Sequence, residues 1–389
     1  DWRVLLFTLS VSAGAGILFG LAPALRSTRP DITPTLKDVG LARGRRRFGL
    51  QSGLVALQMA VSVVLLVGGG LFVRALLAAE KIDPGFSTSG IGVAWLELAM
   101  SGVERDQWEV TEAALVDRLM AEPGIESVAT ASHLPLALGS SFQLFTIPGV
   151  EPPQGQEGHR ILYSQVSPGF FSTLGIPILA GRSLTPEDRS GAPEVVVVSQ
   201  ALAEAFWPGE SPLGKQILRG SAERGATVVG VARDTKVERL GEDPIPFIYF
   251  ARAQYPTSHL RVVAKARGLA GDPVSTLQRA IREVDPNFAV MEIKSMEDNL
   301  SLLLFPSKVA AILLGAFGAL ALVLAAVGLY GVVNFAVSRR TREMGIRMSL
   351  GADTGTLAAT MMRGAITVVA FGGLVGLAFS FALARVIQG

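Results

Sequence analysis

Polar and apolar positions follow two different patterns along this chain. Four runs contain no Asp, Glu, Lys or Arg: residues 4–25, 48–73, 309–338 and 364–384, of 22, 26, 30 and 21 residues. At a rise of about 1.5 Å per residue, ~20 residues cross a hydrocarbon layer of ~30 Å. Each run therefore predicts a transmembrane α-helix. Between the second and third runs the pattern is that of a folded domain. Residues 194–199, Glu-Val-Val-Val-Val-Ser, predict a buried strand, and 200–207 a helix directly after it. Residues 227–231, 246–250 and 260–264 predict further strands. An amphipathic helix is expected over 272–284, with Val274, Leu277, Ile281 and Val284 on one face, and another over 107–120, carrying Val110, Ala114, Leu115 and Leu119. Residues 135–158, rich in Pro, Gly, Ser and Gln, predict a long loop or a subdomain junction. Helices alternating with strands indicate α+β layers. The predicted class is a membrane protein with four transmembrane α-helices and one large α+β domain outside the membrane.

Small residues recur at four-residue spacing within the runs: Ser12, Gly16 and Gly20 in the first, Gly315 and Ala319 in the third, Gly372 and Gly376 in the fourth. Such stripes let helix backbones approach closely in lipid. The second run carries three consecutive glycines at 68–70, a close contact or a flexible point. No ionisable residue lies in the middle of any run, which argues against proton coupling or a charged-substrate path through these helices. Pro23, near the end of the first run, predicts a kink there.

Composition agrees with a membrane protein. Hydrophobic residues make up 49% of the 389 and charged residues only 17%, with a mean hydropathy of +0.43. That excludes a soluble cytosolic protein and a disordered one. With no cysteine, no disulfide or Cys-based metal site is possible. The chain opens Asp-Trp-Arg without Met and closes directly after an apolar run, so it is expected to be a piece of a longer protein.

The net charge of +2 conceals a division. Residues 78–308 hold 20 basic and 28 acidic residues; the rest of the chain holds 15 basic and 5 acidic. The basic excess sits in two short connectors, 26–47 with Arg26, Arg29, Lys37, Arg43, Arg45, Arg46 and Arg47, and 339–363 with Arg339, Arg340, Arg342, Arg347 and Arg363. Lys and Arg in short loops mark the cytoplasmic side. Both connectors are thus expected inside and the segment between the second and third runs outside. Residues 45–47 are read as a positive-inside anchor; no aromatic residue interleaves them, so no nucleic-acid partner is expected.

Residues 209–216, Gly-Glu-Ser-Pro-Leu-Gly-Lys-Gln, nearly match a phosphate-binding loop, but Gln216 replaces the hydroxyl residue and a helix precedes the loop where a strand is required. A Pro–Gly turn is the better reading. His133, His159 and His259 have no metal-ligand spacing, and no G-x-S-x-G elbow occurs. No catalytic constellation, cofactor site or metal site is expected, so the chain is not read as an enzyme.

Several stretches together resemble a known family. Residues 175–182 (Gly-Ile-Pro-Ile-Leu-Ala-Gly-Arg), 186–188, 195–199, 206–215 (Phe-Trp-Pro-Gly-Glu-Ser-Pro-Leu-Gly-Lys) and 228–231 resemble the periplasmic core of MacB-type permeases. Residues 326–331 and 339–352 (Arg-Arg-Thr-Arg-Glu-Met-Gly-Ile-Arg-Met-Ser-Leu-Gly-Ala) resemble the FtsX-like permease domain of the same ABC transporter class. The opening 20–26 resembles the final helix of such a domain, an order similar to the duplicated permeases common in acidobacteria. The resemblance implies six parts. Residues 1–49 would be the last helix of a first FtsX-like repeat with its cytosolic linker, and 50–79 a transmembrane helix. Residues 80–305 would be the MacB-like periplasmic core, 306–338 a transmembrane helix, 339–363 a cytosolic coupling loop and 364–389 a further transmembrane helix.

It also implies a mechanism. Such permeases sit in the bacterial inner membrane, pair with a separate cytosolic ABC ATPase and work an outer domain like a lever, beside a second permease repeat or a second copy. The family's ATPase contact would fall on Arg339, Arg340, Arg342, Glu343, Gly345, Arg347, Gly351 and Ala352. The rival readings are a membrane-anchored sensor and an envelope scaffold without transport. The inner connectors, of about 22 and 25 residues, are short for a sensor's output domain.

Overall fold

The computed structural model describes residues 2–3, 5–10, 12–14, 50–137, 139–220, 225–268, 271–350 and 353–388. Three helices are long and apolar enough to cross a membrane: Ser52–Ala79, Met296–Asn334 and Gly355–Leu383. The first apolar run is described only as the short apolar helix Leu5–Gly14, so its span, the kink expected at Pro23, and Gly16 and Gly20 lie outside the described residues. Three membrane-type helices, rather than four, are thus in view. They are α1 (Leu50–Ala79), α6 (Met296–Ser349) and α7 (Thr354–Gln388).

The large domain lies between α1 and α6. Its first half is an antiparallel sheet of β1 (Ile91–Glu97), β2 (Ile125–Ala131), β10 (His259–Ala266) and β11 (Val290–Ser295), in the order β11-β1-β10-β2. One face carries α2 (Trp108–Met120) and α5 (Pro273–Val284). Their apolar stripes, Leu115 and Leu119 with Leu277 and Ile281, pack on Ala94, Leu96, Leu260 and Val262. Asp272 starts α5 by accepting hydrogen bonds from the Val274 and Ser275 amides, with Pro273 in the first turn.

The second half is a ring. It is built from β3 (Ser141–Thr146), β4 (His159–Val166), β6 (Val195–Ser199), β7 (Gln216–Arg219), β8 (Ala226–Ala232) and β9 (Phe247–Ala251). The pairings run β3–β4–β9–β6–β8–β7 and return to β3, so no edge is left open within them. Phe145, Val196, Val198, Ile217, Val228, Ile248 and Phe250 fill one core of this half. The short β5 (Ile178–Gly181) adds to β8. Helices α3 (Phe170–Leu174) and α4 (Gln200–Phe206) follow β4 and β6. The two halves share one strand-pair contact, Ala131 with Val166.

Between the halves lies the main core. It joins Ile91, Val93 and Val263 of the first sheet to Val197, Tyr249 and Ala251 of the ring, with Phe170 and Phe171 of α3. Met296, the first residue of α6, is fully buried there, and Leu300, Leu303 and Leu304 pack against it.

Two expectations change. Residues 135–158 are not one loop, because β3 runs through them. Its own pattern is a weak signal: Phe142 and Leu144 face outward and Phe145 inward, so pairing with β4 and β7 fixes the strand rather than local amphipathicity. Residues 339–349, expected in a connecting loop, continue α6 as helix. A change from apolar to basic composition does not end a helix; only a breaker or cap does, and none occurs before 350–353.

Candidate functional site

The site of interest is α6 and what grips it. At 54 residues it is ~80 Å long. Its start is well specified. Ser295 accepts a hydrogen bond from the Asp298 amide at 3.0 Å and donates to the Asp298 carboxylate at 2.7 Å. Glu297 and Asp298 lie in the first turn, where the helix dipole favours negative charge. The side-chain amide of Asn299, buried, donates to the Leu136 carbonyl at 2.7 Å. Pro306 stands between these anchored turns and the apolar span. Lacking an N–H, it removes the helical bond to the Leu302 carbonyl, which makes this the point where the helix bends most easily.

The span is held by α1 and α7. A Cβ on Gly69 would sit 3.2 Å from the Gly315 nitrogen, so α1 and α6 touch backbone to backbone. Gly318 lies one turn on, where a Cβ would come within 2.9 Å of the Leu66 side chain. Ala319, expected in the stripe with Gly315, is exposed, and Gly318 holds the contact instead. Both i+3 and i+4 lie on the same face of a helix, and the crossing with α1 selects i+3. Gly372 and Gly376 face α1: a Cβ on Gly372 would overlap the Ala56 carbonyl and lie 2.9 Å from the Met59 Cβ, and one on Gly376 would lie 2.7 Å from the Ala60 carbonyl. Val55, Ala56 and Val368 are buried at this meeting point, with Leu329 and Val332 of α6 beside them. Ser12, in the short apolar helix, is exposed.

The far end of α6 carries the arginines. Arg339, Arg340, Arg342 and Glu343 occupy its last turns, and helical register sets 340, 343 and 347 along one side. Gly345 and Arg347 are exposed; Gly351 and Ala352 lie outside the described residues. Sequence reasoning centred on charge passed over Ile346, Met348 and Leu350, which are 55%, 49% and 80% exposed at this end. Apolar residues inside an arginine-rich connector were the available signal. Asp353 then starts α7, accepting from the Thr356 amide at 3.1 Å.

Several other polar groups in the large domain satisfy one another. Arg252 lies in the wall of a cleft of about 320 Å³ beside α2. It donates to Glu112 at 2.5 Å and to the carbonyls of Thr257 and His259 at 3.0 Å each, so the pair is tied to the frame of the cleft. Arg182 grips Asp188 with two bonds of 2.7 and 2.9 Å, which hold that carboxyl below its ordinary range despite partial burial. Lys215 of the near-match loop pairs with Glu210 at 2.7 Å, and the segment turns from α4 into β7. No group of three or more metal-ligating side chains occurs among the described residues.

Comparison with known proteins matches this architecture to two family models. The MacB-like periplasmic core domain matches residues 52–284, and the FtsX-like permease C-terminal domain matches residues 315–389. The chain belongs to the MacB/FtsX-like permeases of ABC transporters. It is 26% identical over 218 residues to the macrolide export ATP-binding/permease protein MacB of Marinobacter nauticus, a match covering 54% of this chain and 34% of that protein. It is 24% identical over 232 residues to an uncharacterized ABC transporter permease, YknZ, of Bacillus subtilis, covering 57% of each. The chain thus spans about a third of the first relative and little more than half of the second. Among solved structures, the periplasmic region of MacB from Actinobacillus actinomycetemcomitans covers 58% of this MacB/FtsX-like chain at 14% identity and a TM-score of 0.40. The assignment rests on the family models.

Proposed function

We propose that this chain is the membrane and periplasmic part of an ABC transporter permease that works by transmitting force. A separate cytosolic ATPase engages the end of α6 through Arg339, Arg340, Arg342, Glu343, Gly345, Arg347, Gly351 and Ala352. Closure on nucleotide moves α6, and α6 moves the two halves of the large domain on the periplasmic side of the bacterial inner membrane. One observation carries the reading. A single helix runs unbroken from the core joining both halves to the arginine-rich end. A continuous helix spanning both sites is the simplest physical link between them.

Further parts of the reading follow from sequence. The first run forms a fourth span, the basic connectors lie inside, and a second permease repeat or a second copy completes the assembly in the bilayer. The close approaches at Gly69, Gly318, Gly372 and Gly376 hold the helices together so that motion of one reaches the others. The permease itself performs no chemistry; hydrolysis belongs to the ATPase.

Glu343 tests the coupling. An anchor that only sets topology has little use for an acid, whereas a protein contact uses opposite charges to fix register. In a full-length permease with its co-purifying ATPase, Glu343→Lys is expected to leave insertion and topology intact and to abolish stimulation of ATP hydrolysis by the permease. Arg340→Gln with Arg342→Gln is expected to weaken association in a salt-sensitive way. Normal stimulation in the Glu343 variant would return this end of α6 to a plain positive-inside anchor, and a permease that recruits no ATPase would point to a sensor or scaffold.

A further inference from the structure

Leu136 has a left-handed backbone, with φ +54, and is the sole non-glycine residue with positive φ among the described residues. Its Cβ makes that conformation costly. Thirteen described glycines take positive φ elsewhere in the chain, so the sequence supplies glycine where backbone shape alone is needed. At 136 it supplies leucine, and that side chain is completely buried in the core joining the two halves. The position therefore needs both the strained backbone and the side chain.

The backbone of Leu136 bridges three segments. Its carbonyl accepts from Asn299 of α6 at 2.7 Å, and its amide donates to the Val237 carbonyl at 2.8 Å, in the loop after β8. Asn299 is itself 5% exposed and lies seven residues before Pro306. The bond thus joins the anchored turns of α6 to the ring half of the domain. Beside it lies a cavity of about 10 Å³, lined by Leu134, Ala137, Met296 and Asn299 with Trp95 and Val93 behind. That is room for about one water, and for a local change of packing. Close-packed cores switch between discrete arrangements rather than deforming smoothly.

We infer that residues 134–137 form a strained latch with two settings, and that Asn299 is the positioning residue through which α6 throws it. In the engaged setting seen here, α6 is pinned to both halves. In the released setting Leu136 relaxes out of the left-handed region, the Asn299 bond opens, and the first turns of α6 turn against the domain. The inference rests on the reading of α6 as the transmitting helix. It assigns the strain a purpose: the engaged setting stores energy that a small displacement of α6 releases.

The test uses the full chain in nanodiscs of phosphatidylethanolamine and phosphatidylglycerol, without an ATPase. Because the chain has no cysteine, spin labels at Met100→Cys and Leu302→Cys, both on exposed side chains, report the distance between the domain and α6. One narrow distance is expected for the parent. Asn299→Ala is expected to add a second population amounting to a roughly fivefold to tenfold shift toward release, the effect of losing one buried hydrogen bond, and Asn299→Gln to restore the parent distance in part. A second pair of variants reads the strain. Leu136→Ala and Leu136→Gly both lose the leucine's packing beyond Cβ, but only glycine relieves the backbone. Leu136→Gly is therefore expected to melt about 2–4 °C above Leu136→Ala, the reverse of the ordinary order. An unchanged distance in Asn299→Ala, or a Leu136→Ala variant at least as stable as Leu136→Gly, overturns the latch. Neither measurement involves the motor. A distance shift in a permease that recruits no ATPase leaves the latch standing and removes the coupling; coupling without a distance shift does the opposite.

Discussion

His133 stands at the seam between the two halves, with Nδ1 3.1 Å from the Ser132 hydroxyl and Nε2 3.2 Å from that of Ser141. Burial disfavours its charged form, and the nearby Arg261 and His259 add to this, lowering its pKa from 6.5 to about 4. The folded domain therefore holds a neutral imidazole where the unfolded chain takes up a proton. Above pH 6.5 the two states bind alike. As pH falls from 6.5 toward 4 the unfolded state gains the proton first, so stability falls across that window and the loss levels off below it. His133→Gln is expected to flatten the pH dependence of the melting temperature between pH 6.5 and 4, leaving the slope from carboxylates below pH 4. Gly372 makes a different demand, for space. A Cβ there overlaps the Ala56 carbonyl, so Gly372→Leu is expected to force α1 and α7 apart at a cost of about 1–3 kcal/mol. A lower melting temperature in detergent, with faster proteolysis between α6 and α7, would register it.

At the scale of elements, α6 carries the functional argument and Pro306 is its one internal breaker. A proline in a helix interior costs about 3 kcal/mol relative to alanine, so its place between the anchored turns and the span calls for a use. A bend there lets the domain end and the membrane end tilt separately while remaining joined. Pro306→Ala is expected to stabilise the protein against heat and, with α6 as the transmitting helix, to raise stimulation of the proposed ATPase several-fold, because a straighter helix passes on tilt that the bend would absorb. Equal stimulation in the two proteins would make Pro306 a tolerated irregularity. The exposed Ile346, Met348 and Leu350 belong to the same element, and their apolar surface suits a protein partner better than water.

At the scale of the whole molecule, the large domain and α6 are not separable at the membrane boundary. The apolar run begins at 309, but Met296, Leu300, Leu303 and Leu304 already belong to the core of the domain. A fragment of residues 80–305 is expected to be monomeric and to melt cooperatively. One cut at 299 loses three leucines from that core and is expected to melt about 5–10 °C lower, at roughly 1 kcal/mol for each partly buried side chain. Equal melting of the two fragments would place the domain boundary at or before Asn299, well ahead of the point near 308 that the charge pattern sets.

What the sequence determined by itself is what local chemistry encodes. Three of the four runs without charge specify helices of membrane-spanning length, and β-branched runs such as 195–199 specify buried strands, because each signal is complete within a single element; basic connectors add an expectation of side. The arginine-rich composition of residues 339–347 was legible for the same reason, but not that they continue α6 as helix. The tertiary structure alone decided the rest. The ring closes by pairing β4 with β9, residues 162–166 against 247–251, a choice that depends on the whole chain collapsing together. Gly318 rather than Ala319 meets α1 because a crossing angle, absent from any single helix, picks the contacting side. Leu136 reads as an ordinary leucine in a Pro- and Gly-rich stretch. Its left-handed backbone arises only when Asn299 and Val237, distant in sequence, each claim one of its peptide groups while the core claims its side chain.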